Sequence, residues 1–237
     1  MSSPGNLLVF GASGAVGGTI VRSAASRGWH VTAAARRPLT DLPAGVTSIL
    51  VDPLAPAFAA TQLATSMPYT AVCWAQGANT NDSVYEFNLD THRHLYETNC
   101  IFILVTLQAL LAGGLLESGS RLAVISSIWQ QLARQSKLSY CMTKAALQGL
   151  VLSAAADLAS DGHLINAVLP GALDTPMTHR NLDAAQIDRL TGATDHHRLA
   201  TLDEVASLVC FLCSPENTGI TGQFIAVDLG FSHVRLV

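Results

Sequence analysis

The chain has 237 residues, enough for one domain with a large buried core or for two small domains. Hydrophobic residues make up 49% of it and charged residues only 13%, against about 25% in an ordinary soluble domain, so sister subunits are expected to cover part of its surface. The formal charge of -4, the pI near 6.0 and the lack of any Lys/Arg run argue against a nucleic-acid scaffold.

Signals for export, membrane insertion and disulfide formation are weak. Residues 1–8 lack a basic segment followed by an apolar one, so no signal peptide is predicted. The most apolar stretch, residues 100–112, is shorter than the ~20 residues that a bilayer requires. The five cysteines suit reduced thiols, and Cys210 and Cys213 are expected to be core thiols one helical turn apart. We therefore expect a soluble cytoplasmic protein.

Apolar bursts alternate with Ala/Leu-rich stretches along the whole chain. The near-continuous bursts are typical of parallel strands buried on both faces, and they predict strands at residues 6–10, 30–34, 48–51, 71–74, 121–125, 165–168 and 224–227. The strongest helices are predicted at residues 16–26, 90–112, 139–161 and 202–213. This rhythm predicts one doubly wound α/β domain over residues 1–237, with a mostly parallel sheet, and a substrate loop or lid at residues 174–200.

A glycine-rich turn follows the first predicted strand and precedes a helix. Glycines at this position let the chain turn tightly and approach a pyrophosphate, which then sits at the positive end of the helix. A glycine motif alone is a weak signal, and the absence of a Gly-Lys-Ser/Thr ending disfavours a nucleoside-triphosphate loop. The residues predicted to bind a dinucleotide here are Gly11, Ser13, Gly14, Ala15, Val16 and Gly17.

The end of the second predicted strand bears on the choice of nucleotide. A site that prefers NAD places Asp or Glu here to bind the ribose 2′-hydroxyl, whereas a 2′-phosphate needs a cation. The strand ends at Ala35 and is followed by Arg36 and Arg37, which favours NADP(H), although a solvated basic turn is the alternative. Asp52, after the third strand, is expected either to meet the adenine amino group or to serve as a turn residue before Pro53.

The strongest constellation consists of Ser127, Tyr140 and Lys144. Ser127 follows the fifth predicted strand, and the Tyr-x-x-x-Lys spacing places a phenol and an ammonium one turn apart on one helix face. A phenol with its usual pKa of ~10 is a poor acid-base catalyst at pH 7, but a neighbouring ammonium favours the phenolate and lowers that pKa. The three residues therefore predict an acid-base site.

Together these motifs resemble the short-chain dehydrogenase/reductase family in its compact single-domain form, with a Rossmann fold of seven strands. The resemblance runs from Asn6 to Gly230. It also rests on Asn99, Pro170, Gly171, Thr175 and the tail at residues 221–230. Residues 176–186 and this tail look similar to 3-oxoacyl-carrier-protein reductases.

The resemblance implies a role for each of these residues. Tyr140 would protonate the substrate oxygen while NADPH delivers hydride to the carbonyl carbon, or the reverse in oxidation, and Ser127 would hold that oxygen. Lys144 would bind the nicotinamide ribose and lower the pKa of Tyr140, and Asn99 would position a water that links Lys144 to solvent. The other residues implied around the cofactor are Ala75, Gly77, Pro170, Gly171 and Thr175, the last three at the nicotinamide.

Two departures from the family pattern concern the cofactor geometry. Ala15 stands where the family has the middle glycine of its pyrophosphate turn. The family's Asn-Asn-Ala-Gly segment is replaced by Trp-Ala-Gln-Gly at residues 74–77, which removes an asparagine that ties the central strands together. Gln76 is expected to replace part of that tie. Neither change touches the acid-base residues.

Two other functions stay open at this stage. A sensor or scaffold of the same fold would bind the dinucleotide without turnover, although such proteins typically lack the Tyr or the Lys. A nucleotide-sugar-modifying enzyme shares the glycine and Tyr-x-x-x-Lys motifs, but it usually carries a further carboxy-terminal substrate region. An NADP(H)-dependent oxidoreductase that interconverts a ketone and a secondary alcohol is the favoured prediction.

The substrate is expected to be a small carbonyl or alcohol compound: a 3-oxoacyl thioester on an acidic carrier, a keto-sugar, a polyketide-type ketone or another secondary alcohol. An acidic carrier would need surface cations, for which the candidates are Arg134, Lys137 and Arg180. The histidines of the presumed lid, expected to be solvated, are His179, His196 and His197. No metal is expected.

The sparse charge also predicts an assembly. The long helices at residues 90–112 and 139–161 pack against a neighbour's copies in this family, so the resemblance implies a four-helix interface. We therefore expect a homotetramer.

Overall fold

One parallel sheet organises the chain, whose computed structural model describes residues 4–175, 178–179 and 183–234. Its strands are β1 (Asn6–Phe10), β2 (His30–Ala35), β3 (Thr47–Leu50), β4 (Tyr69–Trp74), β5 (Leu116–Ile125), β6 (Leu164–Pro170) and β7 (Phe224–Val227). The seven strands lie in the order β3-β2-β1-β4-β5-β6-β7, and every neighbouring pair is parallel. The order reverses between β1 and β4, which places a crevice at the carboxyl ends of these strands.

Helices cover both faces of the sheet, which confirms the predicted doubly wound α/β fold. The α-helices of the described residues are α1 (Ala15–Ser26), α2 (Leu89–Tyr96), α3 (Phe102–Ala112), α4 (Leu138–Asp157), α5 (Ala184–Thr191) and α6 (Leu202–Cys213). Side chains of α1 and α6 fill the core layer on one face, whereas side chains of α3 and α4 fill the layer on the other face. The inner strands are therefore buried from both sides, which explains their near-continuous apolar bursts in the sequence, whereas the edge strand β3 is largely exposed and β7 is half-buried.

Strand β5 differs most from its predicted bounds. It begins at Leu116, five residues before the predicted start, because Glu117 and Ser118 are exposed and produce no apolar burst. The pairing of β5 with β4 shifts register between Tyr69 and Ala71, which absorbs the extra residues. Only the buried second half of β5 is visible in the hydrophobic pattern.

The helix that runs through residues 89–112 is longer than its apolar stretch. A π-helical turn, Glu97–Ile101, joins α2 to α3 without a break. The continuous helix of 24 residues is long and apolar enough to cross a membrane by length and composition alone, but half of its most apolar window is buried inside the protein. Its buried side chains pack against the sheet.

The carboxyl ends of four strands come together around the crevice. The backbone amide of Ala75 donates to Phe10 O at 3.0 Å, which joins the segments that follow β4 and β1. The amide of Ser126 donates to Val168 O at 2.8 Å, which joins the ends of β5 and β6. These contacts bring the glycine-rich turn, residues 75–77 and Ser127 to one edge of the sheet.

The predicted lid at residues 174–200 leaves and rejoins the body at one place. The amide of Asp174 donates to Ala200 O at 2.9 Å, and Leu173 forms an isolated parallel bridge with Ala200. Between these ends, α5 begins at a capping box in which Asp183 accepts from the amide of Gln186. Residues 176–177 and 180–182, among them Arg180 and part of the reductase-like stretch, lie outside the described residues.

Lowering the pH from about 7 to about 5 is expected to decrease the free energy of unfolding through His163. This side chain is 6% exposed, its Nδ1 accepts from the amide of Ser120 at 3.0 Å, and burial lowers its pKa despite the nearby Asp161. The unfolded chain therefore binds the proton first, and the stability present above the ordinary pKa of about 6.5 is lost as the pH falls through the folded pKa.

Urea unfolding at several pH values tests this expectation. A His163→Gln variant is the comparison, since its amide oxygen can still accept from Ser120 but does not titrate. We expect the variant to lose less stability than the wild type over the same pH range. An equal loss in both proteins would contradict the assignment.

Candidate active site

The turn after β1 has a backbone that only glycine fits. Gly11 has a φ of +74°, and a Cβ there would lie 2.4 Å from the backbone nitrogen of Gln76. A Cβ on Gly17 would lie 2.3 Å from Gly11 O. These contacts let α1 begin directly at the crevice, with Gly14 as its N-cap and no side chain capping its first turn. The uncapped amides at the positive end of the helix suit an anionic ligand.

A groove of about 540 Å³ runs beside this turn. One wall is formed by the turn and the outer side of α1, and the other by residues 37–43 after β2. Its lining includes Ser13, Gly14 and Ala15, as well as two arginines, Arg22 and Arg37. Arg36, on which the sequence argument for NADP also depends, is exposed and does not line this groove.

Three other residues predicted around the nucleotide have mainly structural contacts. Val16 packs against the core layer behind α1, and Gly17 is buried under the turn. The carboxylate of Asp52 accepts from the amide of Leu54 at 3.2 Å, which is the contact of a turn residue. Of the two interpretations of Asp52, the structure thus provides a partner for the turn role.

Gln76 does not tie the central strands together, so this expectation is wrong. Both polar atoms of its side chain are buried, and neither has a hydrogen-bond partner within the described part of the chain. Its backbone lies against Gly11, between the glycine turn and Gly77. The backbone hydrogen bond from Ala75 to Phe10 joins the segment after β4 to β1.

These observations fit a dinucleotide cofactor. The turn has no room for a side chain at Gly11, and the groove beside it is open. The buried side-chain amide of Gln76 has no hydrogen-bond partner within the described residues, and a bound ligand could provide one. Gly77 lies next to the predicted acid-base residues, since a Cβ there would be in ordinary van der Waals contact, 3.4 Å from Asn99 Oδ1 and 3.8 Å from Lys144 Nζ. The crevice therefore leads from the groove to the predicted acid-base residues.

Ser127, Tyr140 and Lys144 meet at the ends of β5 and α4. Ser127 is 6% exposed and its side-chain oxygen accepts from the amide of Trp129 at 3.3 Å. Lys144 is buried, its Nζ donates to Ile125 O at 3.0 Å, and it lies 5.7 Å from the centre of the Tyr140 ring. The predicted proximity of phenol and ammonium is thus present in the structure.

The pKa of Tyr140 differs from the sequence expectation. Burial raises it to about 12, and a hydrogen bond with the Ser127 side chain lowers it only in part. Burial also lowers the pKa of Lys144 to about 8, while Cys100 raises it in part. The expected lowering of the Tyr140 pKa by the ammonium is therefore absent here, because the cost of charging a buried phenol outweighs it. With this pKa the phenol of Tyr140 is protonated at pH 7.

Asn99 lies in the π-helical turn between α2 and α3 and is 1% exposed. Its Oδ1 accepts from the amide of Ala78 at 2.8 Å, and its Nδ2 donates to Ala78 O at 3.1 Å and to Thr143 Oγ1 at 2.9 Å. Thr143 Oγ1 in turn donates to Tyr140 O at 2.9 Å. Asn99 thus fixes the segment after β4 against the helix of Tyr140, while its water-positioning role stays a prediction. Single π-helical turns are frequent at functional sites.

The residues predicted to cradle the nicotinamide follow β6. Pro170 ends this strand, and the amide of Gly171 donates to Val227 O at 3.0 Å. A Cβ on Gly171 would lie 2.8 Å from Cβ of Asp228, so only glycine fits. Thr175 is buried, and its Oγ1 accepts from the amide of Thr178 at 3.2 Å. These contacts order this side of the crevice.

The remaining candidate residues lie outside this site. His179 pairs with Asp174 at 2.7 Å on the surface, and His196 and His197 are exposed. The thiols of Cys210 and Cys213 are buried, as predicted, and burial raises their pKa values. Within residues 4–175, 178–179 and 183–234, no group of three or more His, Cys, Asp or Glu side chains could hold a metal.

Two residues of the site belong to no sequence motif. Arg22 lies four residues after Gly18 on α1, so helical spacing from the glycine turn is the signal that would have placed it beside the groove. Thr143 lies three residues after Tyr140 and bonds both to it and to Asn99. Its position directly before Lys144 is the only sequence signal for it.

The fold and these residues define a dinucleotide-dependent oxidoreductase, and comparison with known proteins gives its family. A family model described as enoyl-(acyl carrier protein) reductase matches residues 61–232. The oxidoreductase YmfI of Bacillus subtilis strain 168 is 27% identical over 236 residues, which cover 94% of this chain and 97% of that protein. The chain belongs to the short-chain dehydrogenase/reductase family.

Other relatives match over shorter segments. The 3-oxoacyl-[acyl-carrier-protein] reductase FabG of Vibrio cholerae is 32% identical over 136 residues, 57% of this chain and 55% of that protein. The (3R)-3-hydroxyacyl-CoA dehydrogenase of Canis lupus familiaris is 30% identical over 167 residues, 70% of this chain and 64% of that protein. The matched segments thus span less than two thirds of these two proteins.

Solved structures share the fold over nearly the whole chain. A short-chain dehydrogenase family protein from Francisella tularensis superposes with a TM-score of 0.86 at 19% identity, covering 97% of this chain and 99% of that one. A gluconate 5-dehydrogenase from Burkholderia cenocepacia, solved with NADP and tartrate, also gives 0.86 at 21% identity, covering 98% and 97%. At these identities the likeness shows the fold alone.

Proposed function

We propose that this protein is an NADP(H)-dependent reductase that converts a ketone to a secondary alcohol, or catalyses the reverse reaction. The observation that carries the proposal is the meeting of Ser127, Tyr140 and Lys144 at the end of the crevice, with Lys144 Nζ 5.7 Å from the Tyr140 ring. A sensor or scaffold would not need a buried ammonium beside a half-buried tyrosine. Both groups carry a desolvation cost that catalysis explains.

Each residue has a distinct task in this mechanism. The bound cofactor supplies the hydride. Ser127 positions the substrate oxygen, and Tyr140, protonated at pH 7, donates its proton to that oxygen. Lys144 provides positive charge next to the phenolate that forms, and its bond to Ile125 O fixes it there. Asn99 and Thr143 hold the backbone of this helix in place.

Preference for NADPH over NADH is supported by Arg37 in the groove and by the lack of an acid at the end of β2. A guanidinium-phosphate contact is charge-assisted and frequently bidentate. Removing it with Arg37→Ala is expected to weaken NADPH binding roughly ten- to a hundredfold and to leave NADH binding nearly unchanged.

Fluorescence titration of both cofactors tests this preference. The sequence predicts the same role for Arg36, so Arg36→Ala is titrated as well. We expect it to weaken NADPH binding less than Arg37→Ala does, because Arg36 does not line the groove. Equal losses for both cofactors, or tighter binding of NADH than of NADPH by the wild type, would refute the preference.

A ketone with an apolar substituent is the substrate class that the surroundings of Ser127 favour. A small cavity of about 20 Å³ borders Ile128 and Trp129, the residues that follow Ser127, and Leu190 and Phe231 lie on its other sides. The rings of Trp129 and Phe231 meet edge to face at 6.4 Å. Thr194, Arg198 and Asp228 also border this cavity, but its aromatic and aliphatic side chains are the part that favours a hydrocarbon group.

A carrier-bound thioester remains one member of this class, as the name of the FabG relative suggests. Among the candidate cations, Lys137 donates to Asn79 Oδ1 at 2.9 Å and to Thr80 O at 3.1 Å, so it braces the loop after β4. Arg134 lies 6.0 Å from the centre of the Trp129 ring. Lys137 is therefore held by this loop, whereas Arg134, which forms no ion pair within the described residues, is the better candidate for contact with an acidic carrier.

The proposed assembly is a homotetramer, and light scattering at micromolar concentration is expected to give about four times 24.9 kDa. Support comes from large apolar side chains exposed on the helix at residues 89–112 and on α4. These side chains are Tyr96, Leu104, Leu111, Met142 and Leu152. A Leu104→Glu variant should dissociate if this face is the interface. A clean wild-type monomer would refute the assembly.

The proposed activity is tested with a carbonyl panel that spans 3-oxoacyl thioesters, keto-sugars and cyclic ketones. We expect purified protein to lower NADPH absorbance with at least one apolar ketone or thioester. If NADPH binds tightly but no carbonyl is ever reduced, the sensor function takes precedence.

A further inference from the structure

Arg22 is held in a fixed place on the α1 wall of the groove. Its Nη2 donates to Thr19 Oγ1 at 2.9 Å, one turn earlier on the same helix. A Cβ on Gly18 would lie 3.4 Å from Arg22 Nη1, so the guanidinium rests against a position that carries no side chain. The side chain is exposed to solvent and lines the groove.

The glycine-rich turn on the α1 wall contains no charged side chain. Residues 11–18 contain neither Lys nor Arg, so Arg22 is the cation that the α1 wall offers to the groove, whereas Arg37 stands on the loop wall. Within the described part of the chain, neither arginine forms an ion pair with Asp or Glu. The groove therefore contains two guanidinium groups without protein counter-ions.

One carboxylate also lines the groove, that of Asp41 on the loop wall. It is exposed and forms no ion pair with either arginine. The two guanidiniums and the amino-terminal end of α1 outweigh this single negative charge. The balance favours an anion that carries up to two charges, such as a phosphate monoester.

We propose that Arg22 is a second specificity-determining residue, whose guanidinium binds the 2′-phosphate of NADPH from the α1 wall while Arg37 binds it from the loop wall. This inference rests on the proposed NADPH preference. It assigns the phosphate to a site between two elements, α1 and the segment after β2, which lie on either side of β2 in the sequence. Two guanidiniums on opposite sides of one phosphate can each donate two parallel hydrogen bonds.

Isothermal titration calorimetry tests the proposal. The wild type and Arg22→Ala are each titrated with four ligands: NADPH, NADH, adenosine 2′,5′-bisphosphate and adenosine 5′-monophosphate. We expect the variant to bind NADPH and the bisphosphate about tenfold more weakly and to bind the other two ligands nearly as the wild type does. Arg22→Lys keeps the positive charge but lacks the paired donors of the guanidinium. We therefore expect it to weaken binding of NADPH and the bisphosphate less than Arg22→Ala does.

The matched control is Arg27→Ala. This arginine caps the other end of α1, donates to Ser207 Oγ at 3.3 Å and does not line the groove, so its loss should change none of the four affinities. Equal losses for all four ligands with Arg22→Ala, or no loss for any, would overturn the proposal.

The titrations distinguish a failure of the role of Arg22 from a failure of the proposed cofactor preference. If the wild type binds NADH more tightly than NADPH, the proposed cofactor preference fails, and the role of Arg22 fails with it. If the wild type prefers NADPH and Arg37→Ala removes the preference while Arg22→Ala does not, only the role of Arg22 fails.

Discussion

Tyr140→Phe is expected to lower turnover of the best carbonyl substrate at least a hundredfold. The substitution deletes one hydroxyl and keeps the ring, so the fold and the affinity for NADPH should be close to unchanged. General acid catalysis contributes typically 10²- to 10⁴-fold, and the same hydroxyl would donate to the developing alkoxide. Because burial raises the pKa of Tyr140 to about 12, the phenol is protonated throughout the neutral range.

A second tyrosine provides the matched control. Tyr85 is 94% exposed and has no part in the site, so Tyr85→Phe should keep wild-type turnover. Steady-state rates for the three proteins, together with NADPH titrations, separate a catalytic loss from a loss of cofactor. Wild-type turnover in Tyr140→Phe would show that the acid-base assignment is wrong.

Lys144→Met is expected to lower turnover by roughly 10²- to 10³-fold, as for removal of one preorganised electrostatic group. The methionine keeps the length of the side chain but cannot stabilise the phenolate of Tyr140 or donate to Ile125 O. We expect the melting temperature at pH 7 to change little, because losing this hydrogen bond is offset by relief from burying a charge. Thermal melting and steady-state kinetics check both parts.

The pH profile distinguishes a charged lysine from a merely structural one. Burial lowers the pKa of Lys144 to about 8, so the ammonium loses its proton above that pH in the folded protein. For the reduction direction, kcat/KM of the wild type is expected to fall above about pH 8. The profile of Lys144→Met should be flat in the same range, and a fall of equal size in both proteins would contradict the role of the charge.

The sheet could be predicted because its signal is local. Strands buried on both faces produce apolar bursts, and β1 and β7 have the predicted bounds. The first half of β5 could not be predicted, since its residues are exposed and are held by pairing with β4 rather than by their own hydrophobicity. The helix predicted at residues 90–112 begins one residue earlier, at Leu89, but nothing in the sequence indicates the π-helical turn Glu97–Ile101 inside it.

Some features of the site could not be predicted from the sequence either. Spacing places Tyr140 and Lys144 on one helix face, but it does not reveal how deeply both are buried, and burial decides the direction of their pKa shifts. The expected tie through Gln76 failed because hydrogen-bond partners depend on tertiary neighbours. Helical spacing could have placed Arg22 near the glycine turn, but that Arg22 and Arg37 line the same groove is a tertiary feature.

Transfer of deuterium from cofactor to product tests the central claim most directly. Reduced cofactor carrying deuterium at the transferable nicotinamide position is mixed with wild-type protein and the best ketone from the panel, and the alcohol is analysed by mass spectrometry. The proposed function predicts one deuterium on the carbinol carbon for each NADPH oxidised, and none of this product with Tyr140→Phe in the same time. Oxidation of NADPH without labelled alcohol, or no alcohol at all from any carbonyl, would contradict it.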